Sequence, residues 1–222
     1  MIERKFKQPQ GVNMATNFDV KGISVVSPKG ELEWCKFVEP DTKYNADGEF
    51  SVSLLLDPEE PKAQEFIGKL EGLRDTALGQ LRENLGAKGK QWSAQDITTI
   101  HYDKDGNETG KVVVKCKLKD IAKRKAQGKP YKIQASGPDK ENLVAKKTLV
   151  GNGSIGVVGC FAFAYEMAST KKVGVSLQWQ KLRVFDLVSF ASEDDDLFGT
   201  VEAEVEDVFE TTTDVESDDL DF

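Results

Sequence analysis

Two β-prone stretches decide the fold: residues 155–166 read IGVVGCFAFAYE, and residues 173–187 read VGVSLQWQKLRVFDL. Side chains of different character alternate along both stretches, which is typical of half-buried β-strands. The alternation sets Val157, Phe161, Phe163 and Tyr165 on one side of the first strand, and Val173, Val175, Leu177 and Trp179 on one side of the second. Two long neighbouring strands are therefore predicted near the end of the folded part.

The second stretch carries a slip in its alternation at Gln180-Lys181, because Leu182 and Val184 are out of step with Trp179. A slip of this kind predicts a β-bulge, which bends a strand. Such a bend is expected where a small sheet curls into a barrel.

Shorter β-prone runs bounded by turn residues precede these two strands. They are Phe18–Val26, Leu32–Val38, Phe50–Leu56, Thr98–Tyr102, Lys111–Leu118 and Tyr131–Ala135. One helix interrupts them, because Asp57 can cap a helix with Pro58 at its first position and Gly86 can end it. Apolar residues recur at helical spacing in between, at Phe66, Leu70, Leu73, Ala77, Leu81 and Leu85. Three glycines within it, Gly68, Gly72 and Gly79, predict a break or a close packing contact.

The pattern predicts a mainly β (α+β) fold, an OB-fold-like five-stranded barrel with one inserted helix. The predicted domains are a flexible basic arm at 1–17, the barrel domain at 18–190 and a disordered acidic tail at 191–222. No signal peptide and no apolar run of bilayer length is recognisable, so we expect a soluble, intracellular protein without a membrane partner.

Charge divides the chain into two unlike parts. Residues 191–222 hold fourteen acids and no Lys or Arg, which leaves 24 acids and 30 bases in residues 1–190. The overall net charge of −8 therefore conceals a body of +6. A basic body favours a polyanionic partner, and a like-charged tail stays solvated as an interaction arm. The alternative is that the tail only keeps the protein soluble.

The positive charge is concentrated in Lys111–Lys147, a segment that contains twelve Lys or Arg and only three acids. On a strand, the odd positions from 111 to 119 share one face, so Lys111, Lys115, Lys117 and Lys119 form a stripe of positive charge. If no acids neutralise these lysines, the stripe can bind successive phosphates of a nucleic acid. The alternative is a solvated strand face. The predicted phosphate-binding residues are Lys43, Lys111, Lys115, Lys117, Lys119, Lys123, Arg124, Lys125, Lys129, Lys132, Lys181 and Arg183.

Aromatic residues are interleaved with these bases, and their rings can stack on nucleobases of any identity. The candidates are Trp34, Phe37, Tyr44, Tyr131, Tyr165 and Trp179, the last with Lys181 and Arg183 on its strand face. Taken alone, each ring is more typical of a core residue, because aromatic residues are the largest apolar side chains available to a barrel. Tyr44 is the candidate least compatible with the core, since it lies in a polar loop.

Other motifs do not indicate enzyme chemistry. Gly151–Gly156 matches the dinucleotide pattern GxGxxG, but a strand follows instead of a helix, so we expect a turn there. Asp103–Asn107 resembles the start of a calcium loop but lacks its Glu, so we expect a hairpin turn. The three cysteines are too far apart for a zinc site. We expect no enzyme activity, cofactor or metal site, and the residual alternative is a metal nuclease using Asp96 and Asp186.

Taken together, these features resemble the replicative single-stranded-DNA-binding proteins of tailed phages, the acidic-tailed OB-fold family. The resemblance is carried by FSVSLLLDP at 50–58, by 150–165, by VGVSLQWQKLRV at 173–184 and by the acidic end closed by Phe222. It implies a protein that coats single strands during replication and recombination in the infected host's cytoplasm and promotes annealing.

The resemblance also implies how the tail works: it contacts the replication polymerase and the primase/helicase while competing with DNA for the groove. Tyr165 matches a position where the family stacks an aromatic ring on a base, whereas Met167 stands where the family can carry a second ring. The oligomeric state is left open, with a homodimer as one option.

Charge gives the tail the same role independently of the family. A tethered polyanion competes with DNA phosphates for the same lysines at high effective concentration. Asp218, Asp219, Leu220, Asp221 and Phe222 combine acids with an apolar anchor and are the predicted partner-binding residues. The alternative function is an interaction or assembly protein whose acidic arm mimics nucleic acid.

Overall fold

The computed structural model describes residues 17–189, so the predicted tail and all of the predicted arm except Asn17 lie outside the described residues. Nine strands and two α-helices make up this part of the chain. They are β1 Ile23–Val26, β2 Gly30–Asp41, β3 Glu49–Leu56, α1 Pro61–Leu85, β4 Ser93–Ala94, β5 Thr99–Tyr102, β6 Glu108–Leu118, α2 Ile121–Ala126, β7 Gln134–Ser136, β8 Ser154–Met167 and β9 Lys172–Asp186. A 3-10 helix, Gly86–Gln91, follows α1 directly.

Five strands pair in a closed circuit. The pairs β8–β2, β2–β3, β3–β6 and β8–β9 are antiparallel, and β6 pairs with β9 in parallel through Lys117 and Gln178. Each of these strands therefore has two neighbours within the set. The remaining strands extend the edges, with β1 on β8, β5 on β6, and β4 and β7 on β9. The mainly β class predicted from the sequence is confirmed.

The predicted bulge in β9 is confirmed. Lys181 lies opposite Gly159 and Trp179 lies opposite Cys160, so Gln180 is the extra residue. Because of this insertion, Trp179 and Leu182 both face the interior and are buried.

The largest fully buried side chain, Trp179, lies in the interior opposite small side chains of β8. Trp179 is fully buried and meets Phe37 edge to face, with ring centroids 6.2 Å apart and an interplanar angle of 81°. The buried positions of β8 are small, at Ser154, Gly156, Val158, Cys160 and Ala162. The space enclosed by five strands is narrow. It can hold an indole because the strand opposite, β8, contributes short side chains. The alternate residues of β8, including Phe161, Phe163 and Tyr165, consequently lie on the outside and are half-buried.

Helix α1 begins later than predicted, at Pro61 instead of Pro58. The residues before it form a turn, in which the Asp57 carboxylate accepts the Glu59 N–H at 2.9 Å and the Asp57 carbonyl accepts the Glu60 N–H at 3.2 Å. Pro61 suits the first helical position because it has no N–H to leave unpaired. The predicted end is confirmed, since Gly86 follows with a positive φ of 54°.

The apolar face of α1 joins two clusters. Phe66 and Leu70 belong to the main core, whereas Ala77 and Leu81 pack in a second cluster with Phe18, Leu78, Trp92 and Val173. No helix in the described part of the chain combines the length and apolar character needed to span a bilayer.

Two other predictions need correction. One inserted helix was predicted, whereas the basic residues 123–125 lie in a second helix of the described part of the chain, α2. Strand pairing is also shorter than the β-prone runs at two places, Phe18–Val26 and Tyr131–Ala135, because only Ile23–Val26 and Gln134–Ser136 find partner strands.

The three glycines inside α1 neither break it nor contact another element. A Cβ at Gly68, Gly72 or Gly79 would meet nothing within 4 Å, and all three positions are exposed. Each Gly→Ala change is therefore expected to raise the free energy of unfolding by about 0.5–1 kcal/mol, because alanine loses less backbone entropy in a helix.

Urea denaturation of the single and triple alanine variants measures this gain. Gly89→Ala is the control, since its Cβ would lie 2.6 Å from the Arg82 backbone and should destabilise the protein. A triple variant no more stable than the unmodified chain would contradict the prediction.

Candidate nucleic-acid interface

Strand register brings a lysine and an aromatic ring onto one surface. Ser51 pairs with Lys117, Lys117 with Gln178, and Gln178 with Phe161. Paired residues share one side of a sheet, and neighbouring strands lie about 4.8 Å apart, so about 10 Å separates Lys117 from Phe161 along this row. Lys115, opposite Ser53, continues the row on the same side. We call the outward surface formed by Ser51, Ser53, Lys115, Lys117, Gln178 and Lys181 the basic face.

The basic face continues along β9 towards β7. Lys181 pairs with Gln134 and Arg183 with Ser136, so both bases lie on the outside beyond the bulge. Lys132, two residues before Gln134, has its Nζ 5.5 Å from the centroid of the Tyr131 ring. Arg183 donates to the Pro138 carbonyl at 3.0 Å, which holds its guanidinium near this edge.

The loop between β2 and β3 is attached to helix α2. The Ile121 and Ala122 N–H groups donate to the carbonyls of Gly48 and Asp47 at 3.1 and 2.8 Å. These bonds satisfy the first two N–H groups of α2 and join the helix to the loop that carries Tyr44. Tyr44 is 86% exposed, and the Lys43 Nζ lies 5.1 Å from its ring centroid.

The bases of α2 have different environments. Lys123 and Lys125 are exposed, whereas Arg124 is half-buried and its Nε donates to the Lys119 carbonyl at 2.8 Å. Burial lowers the pKa of Arg124, and the nearby Asp120 carboxylate opposes this shift. Lys123 and Lys125 are therefore the bases of this helix that are more accessible to a phosphate.

Trp34 protrudes from a bulge in β2. Glu33 pairs with Ser53 and Lys36 with Ser51, so β2 carries an extra residue, and Trp34 has a positive φ of 51°. Its N–H donates to the Asn152 Oδ1 at 2.9 Å, and its side chain is 66% exposed. A non-glycine residue in this conformation costs about 1–2 kcal/mol, so the surrounding contacts must enforce it.

The bulge turns the next residue inward. Cys35 lies against the main core, and burial raises the pKa of its thiol well above the usual range.

The prediction that Phe37 and Trp179 stack on bases is wrong. Both rings are buried, at 2% and 0% exposure, and the Trp179 Nε1 donates to the Lys181 carbonyl at 2.9 Å. The bulge also separates Trp179 from the outward face of Lys181 and Arg183, on which the sequence pattern placed it. A nucleobase cannot stack on a ring that is buried, so both residues belong to the core.

The remaining ring candidates differ in exposure. Trp34 and Tyr44 are exposed, while Tyr131 and Tyr165 are half-buried. The Tyr165 hydroxyl donates to the Gln95 Oε1 at 3.0 Å, and its ring lies against Gly174.

Two further rings on the outside of β8 were not among the predicted site residues. The Phe161 and Phe163 centroids lie 6.4 Å apart, and both side chains are half-buried. Phe161 is the partner of Gln178 on the basic face, and Phe163 is the partner of Ser176. The signal that could have identified them is the alternation that set them on the same side as Tyr165.

The expectation that the lysines of β6 lack matching acids is wrong for Lys111 and Lys117. Lys117 pairs with Glu49 at 2.6 Å, and Lys111 pairs with Glu31 at 2.5 Å. The stripe is interrupted as well, since the buried Val113 lies between positions 111 and 115.

The other lysines near this surface differ in their partners. Within residues 17–189, Lys115, Lys119, Lys123 and Lys125 have no carboxylate within 4.0 Å, and Lys129 lies half-buried beyond α2. On β2, the Lys36 Nζ contacts Asp41 at 2.6 Å, and this hydrogen bond lowers the pKa of Asp41.

The two remaining motifs are turns, as predicted. Gly151–Gly156 leads into β8, which begins at Ser154, and Gly153 has a φ of 90°. Asp103–Asn107 joins β5 to β6, and backbone N–H donation from Asn107 is the main cause that lowers the pKa of Asp103. In the part of the chain that the structure describes, no group of three or more His, Cys, Asp or Glu residues is arranged to hold a metal ion.

Comparison with known proteins finds similarity in structure only. No family model matches the sequence. No curated protein matches it either. The crystal structure of gp2.5, a single-stranded DNA-binding protein encoded by bacteriophage T7, superposes with a TM-score of 0.58 at 16% identity, covering 87% of this chain and 100% of that one.

Two structures of the single-stranded DNA-binding protein from bacteriophage Enc34 are also similar. Its C-terminal truncation gives a TM-score of 0.47 at 8% identity, covering 75% of this chain and 87% of that one. Its complex with single-stranded DNA gives a TM-score of 0.46 at 11% identity, covering 76% and 89%. The chain thus shares its fold with T7 gp2.5, and the resemblance to tailed-phage single-stranded-DNA-binding proteins indicated by the sequence is confirmed at the level of the fold.

Proposed function

We propose that this protein binds single-stranded DNA, independently of sequence, in phage DNA replication and recombination. The row Lys117–Gln178–Phe161 carries the proposal, because it sets a lysine and an outward aromatic residue on one surface, with their backbones about 10 Å apart. Ammonium groups bind phosphates, and rings stack on bases without distinguishing them. This combination suits a strand whose bases are unpaired.

The fold supports the same function. We infer that the closed circuit β2–β3–β6–β9–β8 is an OB-like five-stranded barrel, whose strand faces and loops commonly bind oligonucleotides. The fold is shared with T7 gp2.5, which is itself a single-stranded DNA-binding protein.

The proposed contacts are revised from the sequence-based set. The proposed stacking residues are Trp34, Tyr44, Tyr131, Phe161, Phe163 and Tyr165. The proposed phosphate contacts are the predicted bases, led by Lys115, Lys119, Lys123 and Lys125, which are exposed and without a carboxylate partner among residues 17–189. Each nucleobase that stacks on an aromatic ring contributes about 1–3 kcal/mol to the free energy of binding.

The acidic segment 191–222 is proposed to compete with DNA for these bases and to recruit partners. Its fourteen acids form a tethered polyanion, and Leu220 and Phe222 supply an apolar anchor. The proposed partners are the replication polymerase and the primase/helicase, in the cytoplasm of the infected host. Neither an enzyme activity nor a cofactor forms part of this function.

The test is a titration of labelled oligo-dT and of a duplex of equal length, at two salt concentrations. We expect tight binding of oligo-dT that weakens steeply as salt rises, and weaker binding of the duplex. Absence of oligo-dT binding at low salt would refute the proposal and favour a protein that uses its acidic arm to bind basic partners.

Tyr44→Ala is expected to weaken oligo-dT binding by about five- to 150-fold, since the stacking of one nucleobase is lost. Its melting temperature should not change, because the ring is 86% exposed. Anisotropy titration measures the affinity, and Tyr102→Ala is the control, since Tyr102 is also exposed but lies in β5, where its hydroxyl contacts Glu108. Equal effects of the two substitutions would contradict a specific role for Tyr44.

A further inference from the structure

Two carboxylates hold lysines of β6 in ion pairs at opposite ends of the strand. Lys117 contacts Glu49 of β3 at 2.6 Å, and Lys111 contacts Glu31 of β2 at 2.5 Å. Six positions of an extended strand, about 20 Å, separate the two lysines. The Lys117 pair joins adjacent strands, whereas Lys111 reaches across β3 to β2, and the exposed Lys115 lies between the two lysines on β6.

In both pairs the carboxylate is more buried than its lysine. The side-chain exposures are 18% for Glu49 against 40% for Lys117, and 29% for Glu31 against 43% for Lys111. Each acid therefore sits closer to the sheet, while the ammonium group lies nearer the solvent. A phosphate can approach such a lysine from the solvent side without displacing the acid from its place.

We propose that Glu31 and Glu49 are built-in competitors of phosphate, which set the affinity and salt dependence of the interface. The proposal rests on the proposed function, because it concerns the same lysines. Partly exposed ion pairs are weak, so a DNA phosphate can replace the carboxylate as the partner of each lysine, while the acid stays in its place. Each replacement leaves a carboxylate without its cation, close to the incoming phosphate.

The consequence is measurable in counterion release. A lysine that neutralises a phosphate releases cations condensed on the DNA, at about 0.7 per contact for a single strand. The carboxylate that has lost its lysine attracts a cation from solution, and this uptake offsets the release of cations from the DNA. Removing both acids should therefore tighten binding and steepen its salt dependence.

The experiment compares Glu31→Gln, Glu49→Gln and the double variant of the full chain. Glutamine keeps the shape of glutamate and removes its charge, with one acceptor oxygen replaced by an NH2 donor. Glu65→Gln is the matched control, because Glu65 forms a similar 2.7 Å pair with Lys69, but on the exposed surface of α1. Circular dichroism and thermal melting establish that all variants are folded.

For the double variant we expect a four- to 25-fold increase in oligo-dT affinity at low salt, about two- to fivefold for each acid removed. The slope of log affinity against log salt should become more negative by up to about 1.4 in total. Glu65→Gln should change neither quantity beyond a general effect of net charge.

Affinities and slopes equal to those of Glu65→Gln would overturn the proposal. Weaker binding would overturn it too, since the acids would then orient the lysines for DNA instead of competing with it. Failure of the unmodified chain and of every variant to bind oligo-dT would refute the proposed function itself, and this proposal with it.

Discussion

Replacing Trp179 with alanine is expected to lower the free energy of unfolding by about 3–5 kcal/mol, because the indole fills the interior of the strand circuit. Its exposure is 0%, and it packs edge to face against Phe37. Trp34→Ala is expected to change stability by only about 0.5 kcal/mol, since its side chain is 66% exposed. The two substitutions remove the same side chain from opposite environments.

Urea denaturation followed by circular dichroism distinguishes them without relying on tryptophan fluorescence, which both substitutions reduce. An oligo-dT titration provides the second measurement, in which we expect Trp34→Ala to bind at least about fivefold more weakly while remaining folded. A stable Trp179→Ala variant, or an unfolded Trp34→Ala variant, would contradict the assignment of inner and outer rings.

Removing residues 191–222 is expected to tighten oligo-dT binding by about tenfold or more at low salt, because a tethered polyanion competes at high effective concentration. The truncation removes fourteen negative charges and leaves a body of +6. The difference between the two forms should shrink as salt is added, since screening weakens the competitor together with the DNA.

A full-length variant with its tail acids changed to Asn and Gln is the control for chain length. It should bind oligo-dT like the truncated chain if charge is the cause. Equal affinities of the truncated and unmodified chains would refute competition by the tail, while leaving the DNA-binding proposal intact.

Local features of the fold were predictable because they depend on neighbouring residues. The slip at Gln180-Lys181 correctly predicted the bulge in β9, since a change of alternation has few other structural explanations. Gly86 correctly marked the end of α1, because a positive φ favours glycine. The start of α1 was misplaced, because Pro58 and Pro61 are both acceptable first residues and the contacts of Asp57 decide between them.

The candidate site was predictable in composition but not in arrangement. Sequence alone indicated the lysines and rings, yet it could not separate the buried Phe37 from the exposed Trp34 three residues earlier. Residues 34 and 37 face opposite sides of a regular strand, but alternation from the buried Leu32 would point Trp34 inward; the bulge in β2 turns Trp34 outward and Cys35 inward. The acids that pair with Lys111 and Lys117 come from β2 and β3, far away along the chain.

The sequence by itself determined the segments of most strands, where β9 bends, and how charge is divided between body and tail, because these properties depend on local pattern and composition. Tertiary structure decided which rings face the solvent and which bases meet an acid. Both depend on pairing between distant strands, and a register shift of one residue moves a side chain from one face of a sheet to the other.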